Sequence, residues 1–131
     1  MAGQTDLETM LSTLEPTVRD GEFVYVTMPE EDARGLPAQA MVVESEGVSV
    51  VLRREDAEAA CLPFDFVAHW ISLSVHSSLE AVGLTAAFAT ALGEAGISCN
   101  VLAGFYHDHL LVPVTQTDDA MRVLQGLRDG P

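Results

Sequence analysis

Hydrophobic positions along the chain fall into short blocks whose period keeps changing. Leu7, Met10, Leu11 and Leu14 recur at i, i+3, i+4 and i+7, the spacing of one helix face. Thr5 with Glu8 reads as a capping-box pair, and Pro16 reads as the stop. EFVYVTM at Glu22–Met28 is dense in β-branched and aromatic residues and predicts a strand. The charged, proline-bounded PEEDARGLPA that follows predicts a loop. Gln39–Glu44 and Val48–Arg53 flank Ser45, Glu46 and Gly47, which is the signature of a hairpin. A short helix is expected over Glu55–Cys61, then a strand over Val67–Val75 in which His69 and Trp70 leave the two faces ambiguous.

The second half repeats this order. A helix over Leu79–Gly93 leads to strands at Ile97–Ala103 and His109–Val114, then to a helix that Thr117 and Asp118 begin. That last helix carries Ala120, Met121, Leu124 and Leu127 on one face. Leu7-Glu8 aligns with Leu79-Glu80, and Glu55-Asp56-Ala57 aligns with Asp118-Asp119-Ala120, the first half being longer by about the Pro29–Pro37 loop. The expectation is an α+β protein made of two copies of one small unit, residues 1–66 and 67–131.

The helix after Leu79 is unusual in its surface. Between Leu79 and Ala95 the only charges are Glu80 and Glu94, so no polar stripe is left for water once Leu84, Phe88 and Leu92 face a sheet. Ala81, Ala86, Ala89 and Thr90 are small enough for a close neighbour. The helix is therefore expected to be covered twice, by its own sheet and by a helix of the other repeat or a second subunit, which makes a homodimer the expected assembly.

Composition narrows the choice of partner. Of 131 residues 48% are hydrophobic and 20% charged, which suits an ordered core. The net charge is -14, with 20 Asp and Glu against 6 Lys and Arg, and phosphate backbones or anionic lipid need clustered cations that this chain lacks. Nucleic acid and membrane are excluded as expected partners. No apolar run is long enough to span a bilayer, and MAGQTDLETM has neither a basic n-region nor an apolar h-region, so a cytoplasmic protein is expected. Cys61 and Cys99 have no CxxC spacing and are expected to be buried free thiols.

Polar side chains in the second half gather at element ends: Ser77, Ser78, Asn100 and Asp108. The segment HSSLEAVGLTAAFATALGEAGISCNVLAGFYHDHLLVP, with Gly83-Leu84-Thr85 at a strand-to-helix loop and Gly96-Ile97-Ser98-Cys99-Asn100-Val101 at the next strand, resembles an ACT domain. More narrowly it resembles small bacterial proteins built of two ACT-like units, related in arrangement to the C-terminal ACT pairs of aspartate kinases. The resemblance implies two ferredoxin-like βαββαβ units side by side, no cofactor, and a regulatory protein that binds a small molecule, an amino acid above all, and signals to a protein target. One departure stands out: no strand follows the helix that ends near Leu127, so the closing strand must come from the other half or be absent. A carboxylate could sit on backbone N–H groups near Val82, Gly83, Leu84 and Thr85, where a glycine lets a ligand approach a helix start. Asp108 could take the ammonium, and Asn100 could serve either end. Ser77 and Ser78 complete the expected ligand-binding set.

A rival reading starts from His107, Asp108 and His109, with His76 as a further donor: a divalent-metal-binding protein or small metal-dependent hydrolase. Residues i and i+2 of a strand share a face, but a third ligand has to be imported and no HExxH motif supplies it. A hairpin tip with Asp108 in the turn accounts for the same residues without a metal. Neither a GxSxG elbow nor a phosphate-binding glycine loop occurs, and no catalytic residue is assigned.

Overall fold

The computed structural model describes residues 3–74 and 83–130. The described chain forms two compact units, one continuous (20–69) and one discontinuous (1–19 with 70–131).

The elements in chain order are α1 (Gly3–Ser12), β1 (Glu15–Val18), β2 (Phe23–Met28), α2 (Glu30–Ala33), β3 (Ala40–Glu44), β4 (Gly47–Arg53), α3 (Arg54–Ala59), β5 (Val67–Ser74), α4 (Leu84–Glu94), β6 (Asn100–Ala103), β7 (Asp108–Pro113) and α5 (Thr117–Asp129), with one 3-10 turn at Val114–Gln116. α1 starts two residues before Thr5, so Thr5 lies inside the helix rather than capping it, and the PEEDARGLPA segment holds the short α2.

In the continuous unit β3 and β4 form the expected hairpin, with Glu44 paired to Gly47. β2 lies antiparallel on the other side of β4, Phe23 opposite Arg53 and Met28 opposite Val48. Val67 and Ala68, the first residues of β5, pair with Val24 and Phe23. Alternate residues Val24, Val26 and Met28, with Val48, Val50 and Leu52, face Ala33 and Ala57 of the two short helices. Strand order β3-β4-β2-β5 is that of a ferredoxin-like βαββαβ unit.

The discontinuous unit follows the same plan with one strand drawn from far upstream. β6 pairs antiparallel with β7, Asn100 opposite Leu111 and Ala103 opposite Asp108, and β7 neighbours β5. β1 takes the closing position, Glu15 opposite Ser74 and Val18 opposite Ile71. The strand missing after α5 is therefore supplied by the first half of the chain. α1 belongs with it, packing against α4 and α5. Leu14, Ile71, Leu73, Leu84, Phe88, Leu92, Ile97, Leu110, Val112, Ala120 and Leu124 form its core.

The apolar flank of α4 is covered only in part: Ala89 packs against the core, and Ala81 lies outside the described residues. Its first face enters the core through Leu84, Phe88 and Leu92, and α1 and α5 are its neighbouring helices. Ala86 and Thr90 stay exposed. The cysteines differ from expectation: Cys99 is half-buried against the core, whereas Cys61 is exposed, in the left-handed conformation that ends α3, and both thiols are free.

Candidate functional site

The start of α4 is built around Gly83, whose φ of +99° is left-handed backbone that side chains resist. A Cβ there would stand 3.4 Å from Leu7 Cδ2, so α1 lies against this turn. Leu84 plunges into the core and Thr85 is exposed. The first-turn amides of α4 lack partners from a preceding turn, and no side chain caps them at Gly83. Ser77, Ser78, Val82 and His76 lie outside the described residues.

Asn100 and Asp108 are not brought together. Asp108 pairs with Ala103, three positions along β6 from Asn100, a separation of about 10 Å at strand rise. The odd offset also sets the two side chains on opposite faces of the hairpin. Asp108 begins β7 instead of occupying the turn, which is Gly104–His107 and closes with a 2.8 Å bond from the Gly104 amide to the His107 carbonyl. A side chain at Gly104 would run into that carbonyl at 2.8 Å and His109 Nε2 at 3.2 Å. Phe105 and Tyr106 project from this tip, exposed and edge-to-face.

The most organised polar cluster of the unit lies on the sheet face away from the helices. Ile71 and Leu73 enter the helix-side core, so alternation sends Trp70 and Ser72 to the opposite face. There Trp70 Nε1 donates to His109 Nδ1 at 3.1 Å, and Ser72 Oγ lies 2.9 Å from the same nitrogen. The guanidinium of Arg19 lies 4.4 Å from the Trp70 ring centroid, and the Arg19 amide donates to the Trp70 carbonyl. An indole N–H can only donate, so Nδ1 is the acceptor and the neutral imidazole carries its proton on Nε2. Burial pushes the His109 pKa down, and the charges of Arg19 and His107 push it further against the pull of Asp108. Ser72 with His109 has the residue types of a nucleophile and its base, but the Trp70 N–H competes for the lone pair such a base would use.

Sequence reasoning weighed His109 as a metal ligand only in a rival reading, preferred a hairpin tip, and missed this arrangement. The available signal was the alternation of β5, which sets Trp70 and Ser72 on one face; their partner, 39 and 37 residues away, carries no local mark. His107 and His109 rings are 6.2 Å apart, and among the described residues no group of three or more His, Cys, Asp or Glu is placed to hold a metal.

Among the described residues, two cavities lie in the continuous unit. One of about 360 Å³ is lined by Gly21, Glu22, Arg53, Arg54, Glu55 and Glu58. Its arginines are already engaged: Arg54 pairs with Glu22 at 2.9 Å and Glu58 at 3.4 Å, and Arg53 donates to the Asp20 carbonyl while covering the Phe23 ring. The other, of about 500 Å³, lies along β2 between Tyr25, Thr27 and Ser49 on the sheet and Pro63, Phe64 and Asp65 beyond it.

Comparison with known proteins bears on both units. Two models of the ACT domain match the chain, one over residues 2–69 and one over residues 66–126. None of the curated proteins matches. The crystal structure of a Vibrio cholerae protein of unknown function, described as a possible transport protein, is 41% identical, with a TM-score of 0.87 over 96% of this chain and 98% of that one. At fold level the chain is similar to the regulatory subunit of aspartate kinase from Thermus thermophilus, with a TM-score of 0.58, 10% identity, and coverage of 87% of this chain and 95% of that one. It is also similar to Clostridium acetobutylicum aspartate kinase, with a TM-score of 0.63 and 9% identity, where 88% of this chain matches 34% of the enzyme. With both halves matched by family models and the strand order repeated in each unit, the chain belongs to the ACT-domain family and carries two ACT domains in tandem.

Proposed function

We propose that this protein is a cytoplasmic regulatory module that binds a small polar metabolite, an amino acid above all, and acts through a partner protein without catalysing a reaction itself. The observation that carries the reading is the double ACT match, together with a fold-level likeness to the regulatory subunit of an aspartate kinase. ACT domains are regulatory ligand-binding domains. No described helix is long and apolar enough to cross a membrane, and the net charge of -14 disfavours nucleic acid.

The ligand carboxylate is assigned to the first turn of α4, at Gly83, Leu84 and Thr85, where helix-start amides that Gly83 has no side chain to cap and the positive helix end favour an anion. Asp108 is the candidate counter-charge for the ammonium. Asn100 faces away from it and takes no part in the same contact. The expected assembly is a homodimer.

A thermal-shift screen of the proteinogenic amino acids tests the reading, because a ligand specific to the native state raises Tm as its concentration exceeds Kd. One or a few amino acids should raise Tm in a saturable way. Thr85→Glu, an exposed change that sets a carboxylate at the helix start, should abolish that rise while leaving the unliganded Tm unchanged. A flat screen argues against an amino-acid ligand.

A further inference from the structure

We propose that the cleft between β2 and residues 63–65 is a second ligand site, which takes a short peptide in extended form by its free amino end. The site lies wholly within the continuous unit and is independent of the one assigned to α4.

The cleft exists because two strands part. β5 follows β2 only at Phe23–Ala68 and Val24–Val67, so from Tyr25 to Thr27 β2 has β4 on one side and the cleft on the other. One bond fixes which way its main chain points. The Arg54 amide donates to the Glu22 carbonyl at 2.8 Å, which makes Phe23–Arg53, the pair beside it, a pair of the antiparallel ladder that exchanges no hydrogen bonds. Alternation then turns the main-chain groups of Val24, Val26 and Met28 toward β4, and those of Phe23, Tyr25 and Thr27 away from it. Met28 agrees with this phase: its carbonyl oxygen lies 2.7 Å from where a Cβ on Gly47 of β4 would stand. Phe23 meets Ala68 on its outward side. Thr27 meets the cleft instead, and among the described residues no backbone bond joins it to residues 63–65. It offers an N–H and a C=O side by side to whatever fills the gap, and an extended peptide carries the matching pair.

The rest of the lining selects the end of the peptide. A cavity of about 500 Å³ is of the size that takes small molecules. Tyr25, Pro63 and Phe64 supply its apolar surface, Thr27 and Ser49 its hydroxyls, and Asp65 its single charge. Among the described residues no cation pairs with Asp65, which is exposed. An ammonium group finds its counter-charge there. A carboxylate finds none, and meets the repulsion of Asp65 in a chain whose net charge is -14. A free amino acid holds both charges one carbon apart and fits poorly; a peptide replaces the near carboxylate by an amide, which is what Thr27 pairs with.

The test is a titration of the isotope-labelled full chain, read by amide chemical shifts, with alanyl-phenylalaninamide, its N-acetyl form and the free acid alanyl-phenylalanine as probes. The amide should give saturable shifts centred on Thr27, Ser49 and Asp65 at millimolar concentration. The acetyl form should bind at least about tenfold more weakly, and the free acid less tightly than the amide. Asp65→Asn should remove the preference for the amine over its acetyl form. Thr27→Pro should abolish binding by deleting the amide donor, whereas Thr27→Ala should retain it. Asp65 and Thr27 are exposed, so D65N and T27A carry the test even where T27P does not fold. No saturable shift from the amide, equal binding of the acetyl form to the wild type, or shifts confined to α4 would each overturn the site, and the first two leave the α4 reading as it stands.

Discussion

The two units share a strand order and differ in nearly everything laid over it. The discontinuous unit covers its sheet with α4, α5 and α1, helices of 11, 13 and 10 residues. Its core holds Phe88 and a set of leucines. The continuous unit has helices of four and six residues and fills its core with valine, alanine, Met28 and Leu52. Small side chains under short helices leave the far strand uncovered, and that is where Met41, Val42 and Val43 meet water. The larger helix layer comes with a different demand, because part of it and one strand are drawn from residues 3–18. The lesson is that one topology tolerates two ways of being completed: a complete but thin unit, or a thick one that needs a distant segment.

Deleting residues 1–19 is the most direct way to break the comparison. Leu11, Leu14 and Val18 leave the discontinuous core, and at about 1.5–3 kcal/mol per buried aliphatic side chain the loss, with the β1 ladder, is about 5 kcal/mol or more. Hydrogen exchange should show protection lost across 70–130 while 20–69 retains it; equal loss in both would contradict the division. Phe88→Ala against Val50→Ala sharpens the difference in core payload. Both residues are fully buried. The first should cost about 3–5 kcal/mol, and the second, losing two carbons at about 0.8 kcal/mol each plus a small cavity, roughly half as much by urea denaturation.

His109→Ala should cost about 1–3 kcal/mol by removing the acceptor of Trp70 and Ser72, with His109→Asn milder because its amide oxygen can take the same bond. The pH dependence has a definite sign. The folded pKa of His109 is lowered, so the unfolded state binds the proton first as pH falls. Its contribution is fully present above the unfolded value of about 6.5 and is lost as pH drops through the folded value. Trp70, the single tryptophan, should report the change by fluorescence, and the acid-side slope attributable to this group should vanish in H109N. The smallest effect is expected of Ala86→Glu. Ala86 is exposed, so the change should cost under about 0.5 kcal/mol and leave the mass in solution unaltered; disruption would show that α4 does meet a second chain.

Much of this architecture could be read from residue patterns. The β3–β4 hairpin, α5 and the β6 and β7 strands fall close to where periodicity sets them, because each is specified within its own few residues. β1 escaped notice because Glu-Pro-Thr-Val is short and Pro16 reads as a helix stop, although a proline is tolerated on a strand at a sheet edge. The destination of α1 was hidden for another reason: an apolar stripe says that a helix is covered, never by what. The same limit governs the candidate site. Gly83 entered through the family resemblance, since the residue pattern alone ran the helix from Leu79 through it, whereas α4 starts at Leu84; the Trp70–His109 contact exists only once β5 and β7 are neighbours, and the separation of Asn100 from Asp108 follows from a register that no residue type announces.

The borrowed closing strand gives the protein a particular order of assembly during synthesis. Residues 15–18 leave the ribosome early, yet their partners at 71–74 emerge only after the whole continuous unit has been made. At about 5–20 residues per second, α1 and β1 wait for seconds as an unpaired amphipathic segment while that unit is being made. A segment made before the continuous unit is thus placed after it, and the loop that β1 closes in reaching β5 spans the whole of that unit.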